Sequence, residues 1–477
     1  MSHTHQTALV WFRRDLRLAD NPALSHALSE ARNVIPVFIH APDEEAPWSP
    51  GAASLWWLHY SLTSLSRDIA KLGGRLVLRQ GASLACLQEL IKQTGATLLC
   101  WNRVYEPACI ARDTNIKRIL KDQQIECSSH NAALLFEPWQ VRTQQEKPFR
   151  VFTPFWKHCQ TRLAEQPLPL AAPGTLPSVS NSLASADLAS LHLLPRIEWD
   201  SGLRAQWHVG EAGAHTRLQQ FIDDSASHYA TERDRPDKTG TSCIGPYMHF
   251  GEISPRQIIT ALHEQHTPAE SYVRELGWRE FSHHLLYHFP HTTNAPLDIR
   301  FEKFPWDNNA TALKAWQHGR TGIPLVDAGM RELWHTGWMH NRVRMVVASF
   351  LTKNLRIHWL EGARWFWDTL VDADLANNTQ GWQWTAGCGA DAAPFFRIFN
   401  PTLQAERFDP EFNYIRRWVP EIARLPNKWI TKPWEAPDIE LSKAGIELGR
   451  EYPVPVAELG TSRDAALDAY KEIKLPA

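Results

Sequence analysis

The 477-residue chain lacks the features that mark several large functional classes. No stretch approaches the ~18 consecutive apolar residues of a membrane span. Met1 to Gln6 shows no cationic segment running into an apolar one, so no secretory leader is expected. Cysteine is scarce: seven residues (Cys86, Cys100, Cys109, Cys127, Cys159, Cys243 and Cys388), odd in number and without a C-x-x-C pair. That argues against a disulfide framework or a zinc site and fits reduced thiols in a cytoplasmic protein. Neither sign of charge dominates, since 50 Lys and Arg face 52 Asp and Glu for a formal net of −2. A globally basic nucleic-acid coat is excluded, although a local basic patch is not. The first strand-like run is followed by Arg13-Arg-Asp-Leu-Arg-Leu18 rather than a G-x-G-x-x-G turn, which disfavours a Rossmann dehydrogenase. No P-loop, metal-ligand spacing or Ser/His/Asp order is present, and no metal is expected.

What is abundant is tryptophan. Twenty-two exceed what a core requires, because a buried indole needs a partner for its N–H. They suggest stacking surfaces for bases, for a flat cofactor, or for both, beside plain filling of a large helical core. In the first ~130 residues, short apolar runs (Ala8–Phe12, Val34–Ile39, Arg75–Leu78, Thr97–Trp101) alternate with helical patterns over Asn21–Ala31, Gly51–Leu72, Ser83–Thr94 and Pro107–Gln123. Continuous apolar runs read as strands buried on both faces, and the alternation predicts a doubly wound parallel sheet. Eight prolines between Pro138 and Pro195, with a Ser/Ala/Leu-rich stretch from Ser178 to Ser190, predict a long, partly extended connector. From about 205 onward the periodicity is helical, most clearly over Glu270–His288 and Gly337–Leu355. The expected organisation is an α/β domain (1–134), a linker (135–204) and an all-α domain (205–477). From Glu435 onward five basic residues face nine acidic ones, so that segment should meet solvent rather than phosphates.

Four segments carry groups suited to chemistry. The first is Asp372-Ala-Asp-Leu-Ala-Asn-Asn378-Thr-Gln-Gly-Trp-Gln-Trp384, with Asp391-Ala-Ala-Pro-Phe-Phe-Arg-Ile-Phe-Asn-Pro401 downstream. Carboxylates, amides and indoles so close together offer what a heterocycle with ring N–H groups and a polyol chain requires; a capped helix with buried tryptophans accounts for the same residues structurally. The second, Gly240-Thr-Ser-Cys-Ile-Gly245 through Ser254-Pro-Arg256, puts hydroxyls and free amides at a helix start. These suit a pyrophosphate or, for Thr241 and Ser254, ordinary N-capping. The third, Glu275-Leu-Gly-Trp278-Arg279-Glu280-Phe281, spaces Glu275 and Arg279 for an i,i+4 ion pair, with Trp278 beside them as a base-stacking platform. The fourth, Gly337-Trp-Met-His-Asn341-Arg342-Val-Arg344-Met345, sets Asn341 and Met345 one turn apart on a face otherwise expected to be solvated. His283-His284 and His340 read as polar helix surface.

In this order the segments resemble the photolyase/cryptochrome family, and more closely the class I cyclobutane pyrimidine dimer (CPD) photolyases. The similarity runs from Leu9-Val-Trp-Phe-Arg-Arg-Asp-Leu-Arg17 to Ile415-Arg-Arg-Trp-Val-Pro420. The resemblance implies an α/β antenna domain, a long linker and an all-α FAD-binding domain. It also implies deoxyribodipyrimidine photo-lyase activity, in which photoexcited reduced FAD gives an electron to a pyrimidine dimer flipped out of UV-damaged DNA. It carries FAD contacts onto Tyr229, Thr241, Ser242, Cys243, Ile244, Gly245, Tyr272, Asp372, Asp374 and Asn378, the last beside the flavin N5. Cys243 and Gly245 stand where most relatives have a basic residue and a serine, which leaves backbone amides as the phosphate donors there.

Lesion and DNA contacts fall, by the same resemblance, on Arg233, Glu275, Trp278, Arg279, Asn341, Arg342, Met345, Trp384 and Gln404. Glu275 would hydrogen-bond a pyrimidine edge, and Trp278 and Trp384 would pack on the two halves of the dimer. Trp382, Trp359 and Trp306 match the tryptophan chain that photoreduces the flavin. Relatives acting on (6-4) lesions carry histidine at the position of Asn341, so a CPD is the expected substrate. For an antenna chromophore, the folate-contacting glutamate of some relatives falls on Cys109, followed by Ile110; a deazaflavin, methenyltetrahydrofolate or an empty site all stay open. A cytoplasmic monomer working on DNA, away from membranes, is expected. The alternatives are a cryptochrome, a blue-light signalling flavoprotein without repair, and an α/β nucleotide-binding enzyme that binds no flavin. Glu275, Trp278, Met345 and the short sequence after the helical region argue against signalling.

Overall fold

The computed structural model of the chain describes residues 3–177, 180, 182–392 and 396–474. Met1, parts of the Ser178–Ser190 stretch and Ala393 to Phe395 of the Asp391–Pro401 motif lie outside the described residues. Five strands, β1 (His5–Phe12), β2 (Ala31–His40), β3 (Val77–Gln80), β4 (Leu98–Asn102) and β5 (Glu126–His130), form one parallel sheet in the order β3-β2-β1-β4-β5. Between them run α1 (Pro22–Glu30), α2 (Ala52–Lys71), α3 (Ser83–Thr94) and α4 (Pro107–Asp122). Leu9, Trp11, Val37, Leu99 and Trp101 pack with Leu87 and Leu90 of α3 and Ile116 and Leu120 of α4. Ala8, Val10 and Phe12 point the other way and are equally buried. Burial on both faces is why these strands read as unbroken apolar runs. β5 carries no such signature: Glu126-Cys-Ser-Ser-His130 is a half-buried edge strand, where polar residues suffice.

The chain continues through α5 (Phe152–Gln160), α6 (Ser201–Gln206), α7 (Glu211–Asp224), α8 (Tyr229–Glu232), α9 (Gly245–His249), α10 (Pro255–Glu264) and α11 (Glu270–His288). Two compact units divide it: the first holds 1–199, 207–227 and 242–290, the second 200–206, 228–241 and 291–477. The units therefore do not part at the expected boundaries of 134 and 204. The reason is charge in the Arg13–Leu18 segment, where a glycine-rich turn is lacking. Buried Arg17 donates to the carbonyls of Asp20, Ala132 and Gly251, while Glu211 of α7 accepts the Leu18 and Ala19 amides. Asp20 accepts from Ser254 and Arg256, so α7 and α10 are clamped to the end of β1.

The expected extended connector contains a buried helix. Phe152, Phe155, Trp156 and Cys159 of α5 recur at helical spacing and face inward. Gly277 of α11 lets α5 approach so closely that a Cβ there would meet the Trp156 ring.

The second unit carries α6, α8, α12 (Ala310–Gln317), α13 (Pro324–Thr336), α14 (Asn341–Ser349), α15 (Trp359–Thr369), α16 (Leu375–Ala386), α17 (Pro401–Phe408) and α18 (Asn413–Trp418). The single helix expected over Gly337–Leu355 is broken at its start. Gly337, at φ 68°, ends α13, and His340 caps α14 by accepting the Arg342 amide at Nδ1. After Ser349 a π-helical turn, Phe350–Asn354, follows and buries Lys353.

The histidines expected on polar surfaces are inside. His284 accepts the Phe149 amide at 3.0 Å, and burial pushes its pKa down to about 3. His283 is buried beside it, and buried His340 is lowered to about 4. A neutral imidazole nitrogen that accepts a backbone amide satisfies that amide, which polarity alone does not reveal, while the other ring nitrogens of His284 and His340 are buried without a partner among the described residues.

Candidate functional site

In the first unit the candidate residues sit on α11 and on the turn before α9. Tyr272 donates its hydroxyl to Ser242 Oγ at 3.0 Å, and burial pushes its pKa up to about 12, so it stays a neutral donor. Ser242 Oγ also accepts the Ile244 amide at 3.3 Å, and its carbonyl accepts Arg217 Nε at 3.0 Å. Cys243 takes a φ of 50°, a left-handed conformation that costs a non-glycine residue about 1 kcal/mol. The turn is thus fixed from several sides. Of the two hydroxyls expected as caps, Ser254 forms a capping box with Gln257 on α10; α9 starts at Gly245 behind Ile244, without a side-chain cap.

Along α11, Glu275 and Trp278 are half-buried one turn apart, while Arg279 and Glu280 turn inward. The expected Glu275–Arg279 ion pair does not form. Arg279 donates to the Ala133 carbonyl at 2.7 Å and lies 3.7 Å from Glu280. The other oxygen of Glu280 accepts the Leu135 and Phe136 amides at 3.0 and 3.2 Å. Buried backbone groups of the 133–136 segment must be satisfied, and they take the charged pair that spacing alone would leave at the surface. Arg279, expected on the lesion, therefore serves the protein interior. Trp278 stacks on Phe152, with 3.6 Å between centroids and 9° between planes, so its indole is held flat.

In the second unit the candidates cluster on α14 and α16. Asp374 caps α16 by accepting the Asn377 amide at 2.8 Å. Asp372 pairs with Arg344 at 2.9 Å, and Arg344 also holds the Met339 carbonyl at 2.7 Å. Asn378 donates to the Ala363 carbonyl of α15 at 3.0 Å. Trp382 packs against Phe366 and Trp316 and rests on α15 at Gly362, where a Cβ would run into its ring. Trp384 is half-buried.

Asn341 is exposed in the first turn of α14 and Met345 half-buried one turn on. The rest of that face is not solvated as expected: Arg342 pairs with Asp234 at 2.8 Å and lies 4.4 Å over the Phe408 ring. Gln404 of α17 is half-buried, and the Arg233 guanidinium lies 5.4 Å over the Tyr229 ring. Trp359 and Trp306 each meet His358, at ring-centroid distances of 5.7 and 5.0 Å.

Two atoms test whether a flavin nucleotide suits these residues. Asp372 Oδ1 is a buried acceptor and Gln380 Nε2 a buried donor, and neither finds a partner among the described residues. A buried polar group left so costs about 1–3 kcal/mol, and a heterocycle carrying both N–H and carbonyl groups can relieve both. The residues fit FAD. Asp372, Asp374 and Asn378 of this unit would hold it.

Sequence reasoning passed over two residues within its own motifs. Gln383 stands between the two indoles of W-Q-W, donating to the Thr292 and Ala295 carbonyls at 2.7 and 2.8 Å and accepting the Leu297 amide at 2.9 Å. Arg344, next to Met345, is the partner of Asp372. Among the described residues no cluster of His, Cys, Asp and Glu could hold a metal, and no helix is long and apolar enough to cross a membrane.

Residues 8–174 match the family profile described as DNA photolyase, and residues 272–472 match the FAD binding domain of DNA photolyase. A deoxyribodipyrimidine photo-lyase of Agrobacterium fabrum is 44% identical over 99% of both chains. Cryptochrome-2 of Arabidopsis thaliana is 40% identical over 96% of this chain and 77% of its own. The crystal structure of a bacterial class III photolyase from Agrobacterium tumefaciens superposes with a TM-score of 0.94 at 44% identity, over 99% of each chain.

Proposed function

The chain belongs to the photolyase/cryptochrome family and carries its FAD-binding domain, and on that premise we propose that it is a light-driven DNA-repair enzyme, a deoxyribodipyrimidine photo-lyase that splits cyclobutane pyrimidine dimers. The observation that carries the proposal lies on α11, where Glu275 and Trp278 stand half-buried one turn apart. A carboxyl one turn from an indole suits a pyrimidine, whose carbonyl edge takes the hydrogen bond and whose face takes the ring. Such a base must first leave the duplex, as it does in photolyases generally.

When bound, reduced FAD supplies a photoexcitable one-electron donor. The side chains do the rest. Asp372, Asp374, Asn378 and Tyr272 bind and orient the cofactor. Phe152 behind Trp278 keeps one wall of the lesion pocket rigid. Glu275 hydrogen-bonds the pyrimidine oxygen on which negative charge develops. Asn341, Arg342, Met345, Trp384, Gln404 and Arg233 supply the polar, stacking and phosphate contacts, so affinity falls with salt. Trp382, Trp359 and Trp306 bring electrons inward from the surface. A deazaflavin or methenyltetrahydrofolate antenna in the first unit, and action on DNA as a cytoplasmic monomer, belong to the same proposal.

The 44% identity to a structure described as a class III photolyase supports that subgroup over class I. A second reading, light signalling without repair, is favoured by the 40% identity to a plant cryptochrome. Illuminating the reduced protein with a dimer-containing oligonucleotide separates them. Repair restores thymine absorbance; a flavin-loaded protein that restores none is a signalling protein.

A further inference from the structure

The carbonyls in the last turn of a helix have no partner further along it and must find donors elsewhere. At the end of α16, Gln383 O accepts the amides of Gly387, Cys388 and Gly389, each at 3.0 Å, and Trp384 O accepts the Gly387 amide at 3.2 Å. The chain folds back so tightly that a Cβ on Gly389 would lie 2.9 Å from the Trp384 nitrogen. The Ala386 carbonyl is met by a side chain instead: Lys353 Nζ donates to it at 2.6 Å. Trp384 stands inside this turn. On one side Gln383 is tied to the 292–297 segment, and on the other Ala386 is tied to Lys353. We propose that Lys353 is a positioning residue for Trp384: by holding the Ala386 carbonyl it fixes the backbone from which that indole reaches the damaged base. The proposal rests on the photolyase reading and adds to it a buried residue that none of the four sequence segments contains.

Lys353 is itself held. It lies in the π-helical turn Phe350–Asn354 and is 1% exposed. Its nitrogen stands 3.1 Å from the centroid of the Phe396 ring, which leaves the other face of that ring to Tyr470, stacked on it at 4.2 Å and 7°. Tyr470 belongs to the helix Leu459–Lys474, whose Ser462 accepts Asn354 Nδ2 at 2.8 Å. Ser349 Oγ, just before the turn, accepts the Phe399 amide at 3.1 Å. The turn is thus tied to neighbours at both of its ends, and Nζ cannot leave the Ala386 carbonyl without also leaving the ring. The face of an aromatic ring carries negative charge and suits an N–H. Burial pulls the Lys353 pKa well below its ordinary 10.5. An amine and an ammonium both donate, so the bond to Ala386 persists in either state. Without the lysine, a buried carbonyl at the end of α16 loses its donor, and the turn relaxes where Trp384 is attached.

Lys353→Met keeps an unbranched apolar chain over Phe396 and removes the N–H. In the flavin-loaded protein it should weaken binding of a duplex carrying one thymine dimer by about tenfold. The undamaged duplex should lose less than about twofold, because only a flipped base meets Trp384. In a Trp384→Ala background the same substitution should change the dimer affinity by less than about twofold, the mark of two residues that act together. Flavin content and melting temperature monitor folding. A readout that needs no DNA is the fluorine resonance of Trp384 in fluorotryptophan-labelled protein, identified by its loss in Trp384→Phe; Lys353→Met should shift or split it. Phe396→Leu, which keeps the donor and removes the ring beneath it, should move the same resonance by less, and carries the test if Lys353→Met does not fold.

An unmoved resonance in the variants that fold overturns the proposal. Equal weakening on both duplexes, or a loss that survives in the Trp384→Ala background, gives Lys353 a general structural role and overturns it as well. If the unsubstituted protein shows no preference for the dimer, the photolyase reading of Trp384 fails, and the resonance still decides whether Lys353 sets where that indole stands.

Discussion

α11 and α16 carry most of the proposed site, yet they hold their charged and polar groups to different degrees. On α11, Arg279 is taken by the Ala133 carbonyl, Glu280 by two amides and Tyr272 by Ser242, all within one unit, while Glu280 Oε1 and His284 Nδ1 are buried without a hydrogen-bond partner among the described residues. Around α16, Asp372 Oδ1, Gln380 Nε2 and Trp382 Nε1 are likewise buried without partners among the described residues. An unsatisfied buried group is unfavourable until a ligand meets it, so a ligand that reaches Asp372 and Gln380 should stabilise the surroundings of α16. The difference lies in the charged groups: those of α11 are mostly engaged by backbone, whereas Asp372 keeps one carboxylate oxygen open.

The largest effect should come from Glu275, half-buried on α11 one turn from Trp278. Glu275→Ala should lower repair by about a hundredfold, the scale of removing a group that stabilises developing charge. Affinity for a dimer-containing duplex should move by less than about threefold, because placement is set by rings and phosphate contacts. Equal losses in repair rate and in Kd would make Glu275 a binding residue and erase the contrast. The next tests how firmly α16 is seated. A methyl at Gly362 would enter the Trp382 ring, so Gly362→Ala should cost about 3 kcal/mol of stability and release flavin. A melting temperature equal to the parent's would mean that α16 slides freely on α15.

Much of the first unit was legible because burial on both faces leaves a plain mark on sequence. β1 to β4 read as apolar runs, whereas β5, half-buried at an edge, left none. α5 was hidden by the prolines around it, although its Phe152, Phe155, Trp156 and Cys159 are spaced as an amphipathic helix requires. The site residues came from motif resemblance, and what local spacing misjudged was direction. Glu275 and Arg279 are neighbours on a helix surface by rule, but burial turns Arg279 to a carbonyl 146 residues away. Gln383 was silent for the same reason, since its partners lie 86 to 91 residues upstream.

That long reach makes Gln383 the next test. If the seat of α16 depends on the 292–297 segment, Gln383→Ala should cost about 2 kcal/mol, because a buried carbonyl, a part-buried carbonyl and a part-buried amide lose this partner together. Denaturant melts of the two variants rank the supports. A loss in Gln383→Ala larger than in Gly362→Ala would shift the anchor of α16 from α15 to that segment.

The smallest effect concerns two buried carboxyls, one in each unit. Glu280 on α11 has Arg279 and two amides. Glu332 of α13, beneath the start of α14, has the Tyr414 hydroxyl at 2.6 Å and the His340 amide at 3.3 Å, with no cation in hydrogen-bond contact. Burial is thus less fully compensated there and pushes the Glu332 pKa up to about 7 from an ordinary 4.5. Between those two values the folded protein keeps a proton that the unfolded chain has released. The contribution of Glu332 is therefore greatest at or below pH 4.5, falls as pH rises through the window, and is level above about 7. Glu332→Gln keeps a carbonyl oxygen for both donors and cannot ionise. Its unfolding free energy should lose on the order of 1 kcal/mol less than the parent's between mildly acidic and mildly alkaline pH. Parallel pH profiles in the two proteins would mean that Glu332 is as well compensated as Glu280.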